Sequence, residues 1–349
     1  MKEIVLKASV KSSVFVGEGA FHRCVPALLK GQKNFLLTDS NVYELYGGLI
    51  SSVFGNTPLY VLPAGEENKN FSELGNILTA MTEAGLLRTS CLFAMGGGVV
   101  GDIGGLAAGL YMRGIRCVQI PTTVLAQVDS SVGGKTAIDM NNIKNVVGMF
   151  YQPQTVVVDP LFLRTLPVRE LKCGLGEIVK YAALSAEIYK EVLKHIDNLF
   201  DLSFLEEITK LCIDHKANVV RKDERETGLR KSLNMGHTLG HALELYDKKL
   251  SHGEYVLIGL WYETCVAQAM GLCKQEYGDT LKALARKVVG DIPAVTEAAI
   301  GGARMDKKNE SAGTVTFIAP ISKGIFDTVK LPYEEYVSRI LEAAKEAEC

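Results

Sequence analysis

Residues 91–102 of the chain read Cys91-Leu92-Phe93-Ala94-Met95-Gly96-Gly97-Gly98-Val99-Val100-Gly101-Asp102. The apolar run Cys91–Met95 predicts a buried strand, and the residues from Ile103 to Tyr111 predict a helix. Glycines between a strand and a helix let the backbone approach a pyrophosphate, and the free amides of the helix start attract its charge. The segment therefore indicates a nucleotide site at a sheet edge, although a turn without ligand, a mononucleotide or a phosphosugar would satisfy the same glycines.

Similar apolar runs occur on both sides of this segment and alternate with helical stretches up to about residue 160. They predict the buried strands Asn34–Thr38, Leu59–Leu62, Cys117–Ile120 and Thr155–Val158. Such alternation is typical of a parallel α/β sheet. No acid follows the glycines at the distance that a dinucleotide fingerprint requires, but Asp39, at the end of the first of these strands, could hold a ribose hydroxyl.

After Asp159-Pro160 the pattern changes to long helical periods. The predicted helices are Leu171–Ala183, Glu187–Leu199, Phe204–Val220, His237–Tyr246, Glu254–Met270 and Glu334–Ala347. We therefore predict an α/β dinucleotide-binding domain with a parallel sheet at residues 1–160 and an all-α domain at residues 161–349.

Composition restricts the partners of the chain. Lys and Arg total 38 against 40 for Asp and Glu, so no overall positive field recruits nucleic acid or an anionic membrane. The eight cysteines are scattered without a CxxC pair, which favours a reducing compartment. Because the sequence also has no signal-peptide pattern and no uninterrupted membrane span, we expect a cytoplasmic protein without nucleic-acid or membrane partners.

Three of the six histidines, His237, His241 and His252, lie within sixteen residues of one another. His237 and His241 are four residues apart on a predicted helix, so they share one face, as zinc-binding pairs do. A carboxylate such as Glu177 would complete a catalytic zinc site with an open position. The alternative is that these histidines cap or pair within a helical core.

Polar segments elsewhere supply anion-binding groups. The run PTTVLAQVDSSVGGKT at residues 121–136 ends in Gly-Lys-Thr, but Asp129 occupies the position where a P-loop requires glycine. What remains is a loop that offers a lysine, hydroxyls and amides beside an aspartate. Further groups of this kind are Lys144, Asn145, Lys216, Arg230 and Asn234.

Together these motifs resemble the 3-dehydroquinate synthase family over nearly the full length of the chain. The matching segments are 65–69, 96–102, 111–114, 121–136, 144–145, 159–167, 176–180, 216–226, Arg230, 233–244, 251–254 and 306–308. The resemblance implies an N-terminal dinucleotide domain, a helical metal and substrate domain, and a homodimer with the active site in the cleft between the domains. It also implies NAD and one divalent metal, zinc or cobalt, as cofactors.

The same resemblance assigns roles to individual residues. It implies that Glu177, His237 and His252 are the metal ligands, and that His241 lies beside the substrate. For NAD it implies Asp39, Glu66, Lys69, Gly97, Gly98, Val99, Gly101, Asp102, Thr122, Thr123, Lys135, Lys144, Phe162 and Thr165. For the substrate it implies Asp129, Lys135, Lys144, Asn145, Lys180, Lys216, Arg230, Asn234, His241, one of Lys307 and Lys308, and Arg113 from the neighbouring subunit.

The implied reaction converts the phosphosugar acid 3-deoxy-D-arabino-heptulosonate 7-phosphate to 3-dehydroquinate and phosphate, a step of the shikimate pathway. Three alternatives are a sister cyclase acting on sedoheptulose 7-phosphate or glucose 6-phosphate, a metal-dependent polyol dehydrogenase, and a nucleotide-binding scaffold without activity. Lys216, Arg230 and Asn234 disfavour the sister cyclase, the 121–136 loop disfavours the dehydrogenase, and the presence of every expected site residue disfavours the scaffold. Two positions depart from the family pattern, Ile143, where glycine is usual, and Tyr255, where a small residue is usual.

Overall fold

The computed structural model describes residues 1–7, 9–141, 143–305 and 313–347. The chain forms two compact units. Unit 1 comprises Met1–Leu166 and Leu205–Arg225, and unit 2 comprises Pro167–Phe204 and Glu226–Cys349.

Strands and helices follow one another along the chain in the order that their numbers give. The strands are β1 (Lys2–Lys7), β2 (Lys11–Val16), β3 (Asn34–Asp39), β4 (Leu59–Leu62), β5 (Cys91–Gly96), β6 (Arg116–Pro121), β7 (Lys135–Met140), β8 (Ile143–Phe150), β9 (Thr155–Val158), β10 (Thr314–Ser322) and β11 (Ile325–Pro332). The helices are α1 (Ala20–Leu28), α2 (Ser40–Phe54), α3 (Phe71–Glu83), α4 (Gly98–Leu110), α5 (Val168–Leu184), α6 (Ala186–Lys194), α7 (Leu202–Lys222), α8 (His237–Asp247), α9 (His252–Ala269), α10 (Gln275–Val289), α11 (Glu297–Ile300) and α12 (Tyr333–Ala347).

Unit 1 is built on a seven-stranded sheet with the strand order β1-β2-β9-β6-β5-β3-β4. The pair β1–β2 is antiparallel, and every other neighbouring pair is parallel. The five strands predicted from the sequence are all present. The inner strands β3, β5, β6 and β9 are largely buried on both faces, and this burial explains their apolar runs, whereas the edge strand β4 buries only Leu62.

The order in which strands are added to this sheet reverses between the parallel strands β3 and β5. From β3 the chain passes through α2 to β4 on one side, and from β5 it passes through α4 to β6 on the other. Ligands of open α/β sheets bind at such a switch point, outside the carboxyl ends of the strands. Asp39 ends β3 and Gly96 ends β5, so the predicted nucleotide residues lie at this position.

The observed units differ from the expected division at residue 160 in two places. Residues 161–166 stay with unit 1 because the ring of Phe162, fully buried, packs edge-on against Phe21 and Tyr46. Most of α7 also belongs to unit 1, since Ile213, Ala217 and Val220 share a hydrophobic cluster with residues of β1, β2 and β9.

Unit 2 is mainly helical. All six predicted helices are present with shifted ends, and five of them, all except α7, belong to unit 2. Unit 2 differs from the all-α expectation in one feature, the antiparallel hairpin β10–β11. Unit 1 likewise contains a second hairpin, β7–β8, that the sequence analysis did not predict. Among the helices of the described ranges, none combines the length and apolar character needed to cross a membrane.

Two glycines bring α5 and α9 into close contact within unit 2. A Cβ atom on Gly253 would lie 1.9 Å from the carbonyl oxygen of Cys173, and one on Gly176 would lie 2.2 Å from that of Gly253. No side chain fits at either position. Because Glu177 and His252 adjoin these glycines, the contact also sets the separation of two predicted metal ligands.

Candidate active site

The glycine segment after β5 forms the start of α4. Gly97 is the N-cap of α4, and no side chain in the described ranges bonds to the amides of its first turn. A Cβ on Gly97 would lie 3.2 Å from Thr123 Cγ2, and one on Gly101 would lie 2.8 Å from Gln119 Oε1. The backbone therefore presents amides in a cradle that side chains would fill, which fits a pyrophosphate group.

Three other residues predicted to contact NAD, Asp39, Thr165 and Phe162, differ in the contacts that their side chains make. Asp39 caps α2 by accepting the Val42 amide at 2.9 Å, and burial raises the pKa of its carboxyl group, partly offset by the amides of Val42 and Asn41. Thr165 shares a hydrogen bond of 2.7 Å with the hydroxyl of Tyr46. The ring of Phe162 lies in the core, so its expected contact with NAD would have to involve its backbone.

Lys69 is a buried cation that joins several predicted site residues. Its Nζ lies 2.8 Å from Asp102 Oδ2 and 3.4 Å from Glu66 Oε1, and it donates to Asn145 Oδ1 at 2.6 Å. Burial alone would lower the pKa of Lys69, but the charges of Asp102 and Glu66 raise it overall. Lys69 is therefore charged and links the start of α4 to hairpin β7–β8.

Asp129 and Lys216 form a second charged pair of unit 1. Lys216 Nζ on α7 contacts the Asp129 carboxylate and donates to the Asp129 carbonyl oxygen at 2.7 Å. Lys135 begins β7 and Lys144 and Asn145 lie in β8, so the hairpin carries three of the predicted substrate residues. Arg113 is exposed, with left-handed backbone angles (φ 65°) directly after Met112 (φ 49°).

Unit 2 contains a buried carboxylate that faces two imidazoles. Glu177 Oε1 lies 3.5 Å from His237 Nε2 and 3.5 Å from His252 Nε2, and Glu177 has no exposed surface. Ligand atoms about 2.1 Å from a tetrahedral zinc ion are about 3.4 Å apart. Apart from the ion pair of Oε2 with Lys180, neither Glu177 oxygen has a hydrogen-bond partner among the described residues, so the donor set fits a divalent metal.

A contact at Nδ1 fixes the orientation of each of these two imidazoles. His237 Nδ1 lies 3.0 Å from the Met235 carbonyl oxygen, and His252 Nδ1 lies 3.0 Å from Glu244 Oε2. Such bonds leave Nε2 of each ring to the metal. Burial lowers the pKa of His252, but the carboxylates of Glu177 and Glu244 together raise it to about 9.

His241 lies next to these two imidazoles. Its ring centroid is 5.0 Å from that of His237 and 5.7 Å from that of His252. The nitrogens of all three histidines lie within 4.8 Å of one another, so distance alone also permits a metal bound by three histidines. The two 3.5 Å contacts of Glu177 favour the set Glu177, His237 and His252, which remains a prediction.

Other predicted substrate residues of unit 2 occupy buried positions. Lys180 is almost fully buried and forms an ion pair with Glu177, and its ammonium lies 4.4 Å from the ring centroid of Tyr181. Arg230 has only 1% of its surface exposed. Asn234 Nδ2 donates to Glu226 Oε1 at 2.8 Å. Lys307 and Lys308 lie outside the described residues.

Three carboxylates near these groups were not predicted from the sequence. Glu226 orients Asn234, and Glu244 orients His252. Glu263 of α9, fully buried, accepts the amides of Gly236 and Leu239 at 3.1 Å each and thus caps the turn that carries His237. Only the run LNMGHTLGHALE hinted at Glu244, because it lies three residues after His241 on one helix face.

Comparison with known protein families shows the family of the chain. Residues 59–173 match the family model described as 3-dehydroquinate synthase N-terminal, and residues 174–309 match the one described as 3-dehydroquinate synthase C-terminal. The chain belongs to the 3-dehydroquinate synthase family. A 3-dehydroquinate synthase of Alkaliphilus metalliredigens (strain QYMF) is 40% identical over 334 residues, which cover 92% of this chain and 93% of that protein.

Solved structures of two other cyclising synthases are similar to this chain. A 2-epi-5-epi-valiolone synthase from Streptomyces hygroscopicus subsp. jinggangensis 5008 with NAD+ and Zn2+ bound has a TM-score of 0.86 and 25% identity, covering 99% of each chain. A 2-deoxy-scyllo-inosose synthase complexed with carbaglucose-6-phosphate, NAD+ and Co2+ has a TM-score of 0.84 and 25% identity, covering 98% of this chain and 99% of that one. The predicted fold class is thereby confirmed.

Proposed function

We propose that the chain is a 3-dehydroquinate synthase, a carbon–oxygen lyase that converts 3-deoxy-D-arabino-heptulosonate 7-phosphate to 3-dehydroquinate and phosphate. Membership of the family supports this activity. The observation that carries the chemistry is the buried Glu177 carboxylate at 3.5 Å from the Nε2 atoms of His237 and His252. A metal there and a nucleotide at the start of α4 are the two cofactors that this reaction uses.

NAD, when bound, would accept and later return a hydride, and a divalent metal such as zinc or cobalt would act as a Lewis acid on the substrate hydroxyls. Different residues of the chain would bind the metal and NAD. Glu177, His237 and His252 would hold the metal, and the ion-paired Lys180 offsets part of the carboxylate charge. The glycine backbone of residues 97–101 would hold the pyrophosphate, and Asp39 would hold the ribose.

Elimination of phosphate requires groups that stabilise a departing dianion. We assign this role to Lys135, Asn145, Asn234, Arg113 and one of Lys307 and Lys308. Lys69 supports it, because its hydrogen bond of 2.6 Å orients the side chain of Asn145. The departing phosphate can itself take the proton from the neighbouring carbon, so the chain need not supply a strong base.

Recognition of the sugar acid is assigned to a different set. Lys216 and Arg230 would bind the substrate carboxylate, and Asp129 and His241 would contact its hydroxyls and phosphate. Lys216 is held by Asp129, which keeps its ammonium in a fixed position. The carboxylate-binding pair favours the sugar acid over sedoheptulose 7-phosphate and glucose 6-phosphate, because neither of these sugars has a carboxylate.

The test compares the purified protein on the three phosphosugars, with phosphate release as the readout. We expect release from the heptulosonate phosphate alone, loss of activity with a chelator, and recovery on addition of zinc or cobalt. Arg230→Ala should lower kcat/KM for the sugar acid by a factor of about 100 or more, since a buried charged hydrogen bond is lost. Release from sedoheptulose 7-phosphate in place of the sugar acid would assign the chain to the sister cyclases.

We also propose that the protein is a homodimer. Hairpin β7–β8 exposes the apolar residues Met140, Ile143, Val146, Met149 and Phe150. A Cβ on Gly109 of α4 would lie 2.7 Å from Met149 Sδ, so the exposed Leu110 and Met112 follow close to this hairpin. An apolar patch of this kind marks an interaction surface. The left-handed backbone at Arg113 supports a functional position beside it, because such strain persists mainly at functional sites.

A cytosolic location is part of the same proposal. The seven cysteines within the described ranges are all buried, and none of them forms a disulfide. Free thiols in this number fit a reducing compartment.

A further inference from the structure

The connection between α8 and α9 immediately precedes the predicted metal ligand His252. It consists of Lys248, Lys249, Leu250 and Ser251, and Lys248 adopts a left-handed conformation with φ 53°. A connection of four residues can adopt few conformations that join the two helices. Its conformation therefore decides where the first residue of α9 lies.

Side chains of the first turn of α9 bind the amides of this connection. The Tyr255 hydroxyl accepts the amide of Lys249 at 2.9 Å and that of Leu250 at 3.2 Å, and it donates to the carboxylate of Asp247 at the end of α8. The amide of Ser251 donates to Glu254 at 2.9 Å. One donated and two accepted bonds use the full capacity of a phenolic hydroxyl.

Two side-chain pairs consequently connect the same two helices one turn apart. His252 contacts Glu244 at 3.0 Å, and Tyr255 contacts Asp247. The second pair lies three residues after the first on each helix, so both pairs lie on the sides of α8 and α9 that face each other. The Tyr255 ring is 3% exposed and cannot leave without opening this contact.

We propose that Tyr255 is a positioning residue for the metal centre, because its hydroxyl fixes the connection that places His252. The proposal rests on the ligand set Glu177, His237 and His252 proposed above. It gives a role to the one bulky residue that departs from the family pattern beside the metal ligands. Tyr255 itself does not touch the metal or the substrate.

The test is Tyr255→Phe, which keeps the buried ring and removes only the hydroxyl. We expect the zinc dissociation constant, measured by competition with a chromophoric chelator, to rise at least about tenfold, as for other residues that orient metal ligands. At saturating zinc, kcat should stay within about twofold of the unchanged protein, because the completed site is the same. A role in folding alone would lower the melting temperature without changing the zinc dissociation constant.

A matched control is Tyr60→Phe in unit 1. The Tyr60 hydroxyl also donates to a carboxylate, Glu73, at 2.8 Å. Its removal should leave the zinc dissociation constant unchanged. If Tyr255→Phe does not fold, Asp247→Asn takes its place, with an expected rise of about threefold, because an amide oxygen still accepts the hydroxyl.

The outcomes separate this proposal from the one on which it rests. An unchanged zinc affinity in a folded Tyr255→Phe or Asp247→Asn protein would overturn the positioning role while leaving the metal site intact. Failure of the unchanged protein to bind one zinc ion per chain would instead overturn the metal site, and the positioning role with it.

Discussion

At the scale of single residues, the chemistry of unit 2 centres on Glu177. A fully buried carboxylate is costly unless cations compensate it. Lys180 provides one such cation, and the imidazoles of His237 and His252 lie at 3.5 Å. A divalent metal would bind the carboxylate together with the same imidazole nitrogen atoms, and this arrangement supports the proposed metal site.

The ligand set can be tested by comparing two histidines. His252→Ala should lose stoichiometric zinc, because it removes one of the ligands that face Glu177. His241→Ala should retain the zinc and lose activity, with kcat/KM at least about 100-fold lower, since this residue is assigned to the substrate. Metal analysis of the two purified variants is the measurement, and the reverse pattern would show that His241 is the ligand.

The raised pKa of His252 predicts a pH dependence of metal binding. In the metal-free protein this pKa is about 9, against an ordinary value of 6.5. The protonated ring therefore stabilises the metal-free fold fully below pH 6.5, and this stabilisation is lost as the pH rises through 9. Zinc binds the neutral ring and must displace the proton. Zinc affinity should therefore rise about tenfold per pH unit between these values, measured by chelator competition. An affinity that does not change with pH would contradict this assignment.

At the scale of elements, the contact between α5 and α9 sets the distance between Glu177 and His252. Gly176 and Gly253 allow the two backbones to touch, and each glycine adjoins one ligand. Backbone atoms cannot move aside as a flexible side chain can. The helices would have to separate if either glycine gained a side chain.

Gly253→Ala should therefore destabilise unit 2 and weaken zinc binding together. We expect a loss of about 3 kcal/mol in the free energy of unfolding, from denaturant titration, and a markedly higher zinc dissociation constant. Gly301→Ala is the control, because a Cβ there meets no described atom within 4 Å, and its effect should be within about 0.5 kcal/mol. Equal effects of the two substitutions would refute the role of the helix contact.

The same contact explains how far the sequence could predict the site. The strand Thr155–Val158 was predicted with its observed bounds, because a strand buried on both faces is a continuous apolar run. The edge strand Leu59–Leu62 was also predicted with its observed bounds from an apolar run, although only Leu62 is buried. The helix carrying His237 and His241 followed from its period. Local spacing favoured those two histidines as a pair, whereas the approach of Glu177 to His252 depends on helix packing between segments distant in the chain. Hairpin β7–β8 was missed because its exposed face is apolar and breaks the usual alternation.

At the scale of the whole molecule, each unit carries a different part of the proposed chemistry. Unit 1 holds the nucleotide residues and the hairpin with Lys135, Lys144 and Asn145, and unit 2 holds the metal ligands with Lys180, Arg230 and Asn234. Arg113 is assigned to the active site of a second copy. This assignment makes the active unit a dimer.

Mixing two inactive variants tests that assignment. Arg113→Ala lacks the arginine and His252→Ala lacks the metal. If Arg113 acts on the neighbouring subunit, a mixed dimer contains one complete site, so activity should return to about a quarter of that of the unchanged protein after subunit exchange of equal amounts. Exchange is checked by mass spectrometry of tagged chains. No recovery in verified mixed dimers would place Arg113 at the active site of its own chain.

In the proposed reaction NAD would oxidise a substrate hydroxyl only transiently. The hydride would return to the substrate before the carbon ring of 3-dehydroquinate closes. This order of steps is tested most directly by following phosphate release and reduced nicotinamide in one reaction with the heptulosonate phosphate. The account predicts many turnovers of phosphate and 3-dehydroquinate while reduced nicotinamide never exceeds the amount of enzyme. Reduced nicotinamide that accumulates in proportion to product would contradict it and identify a dehydrogenase instead.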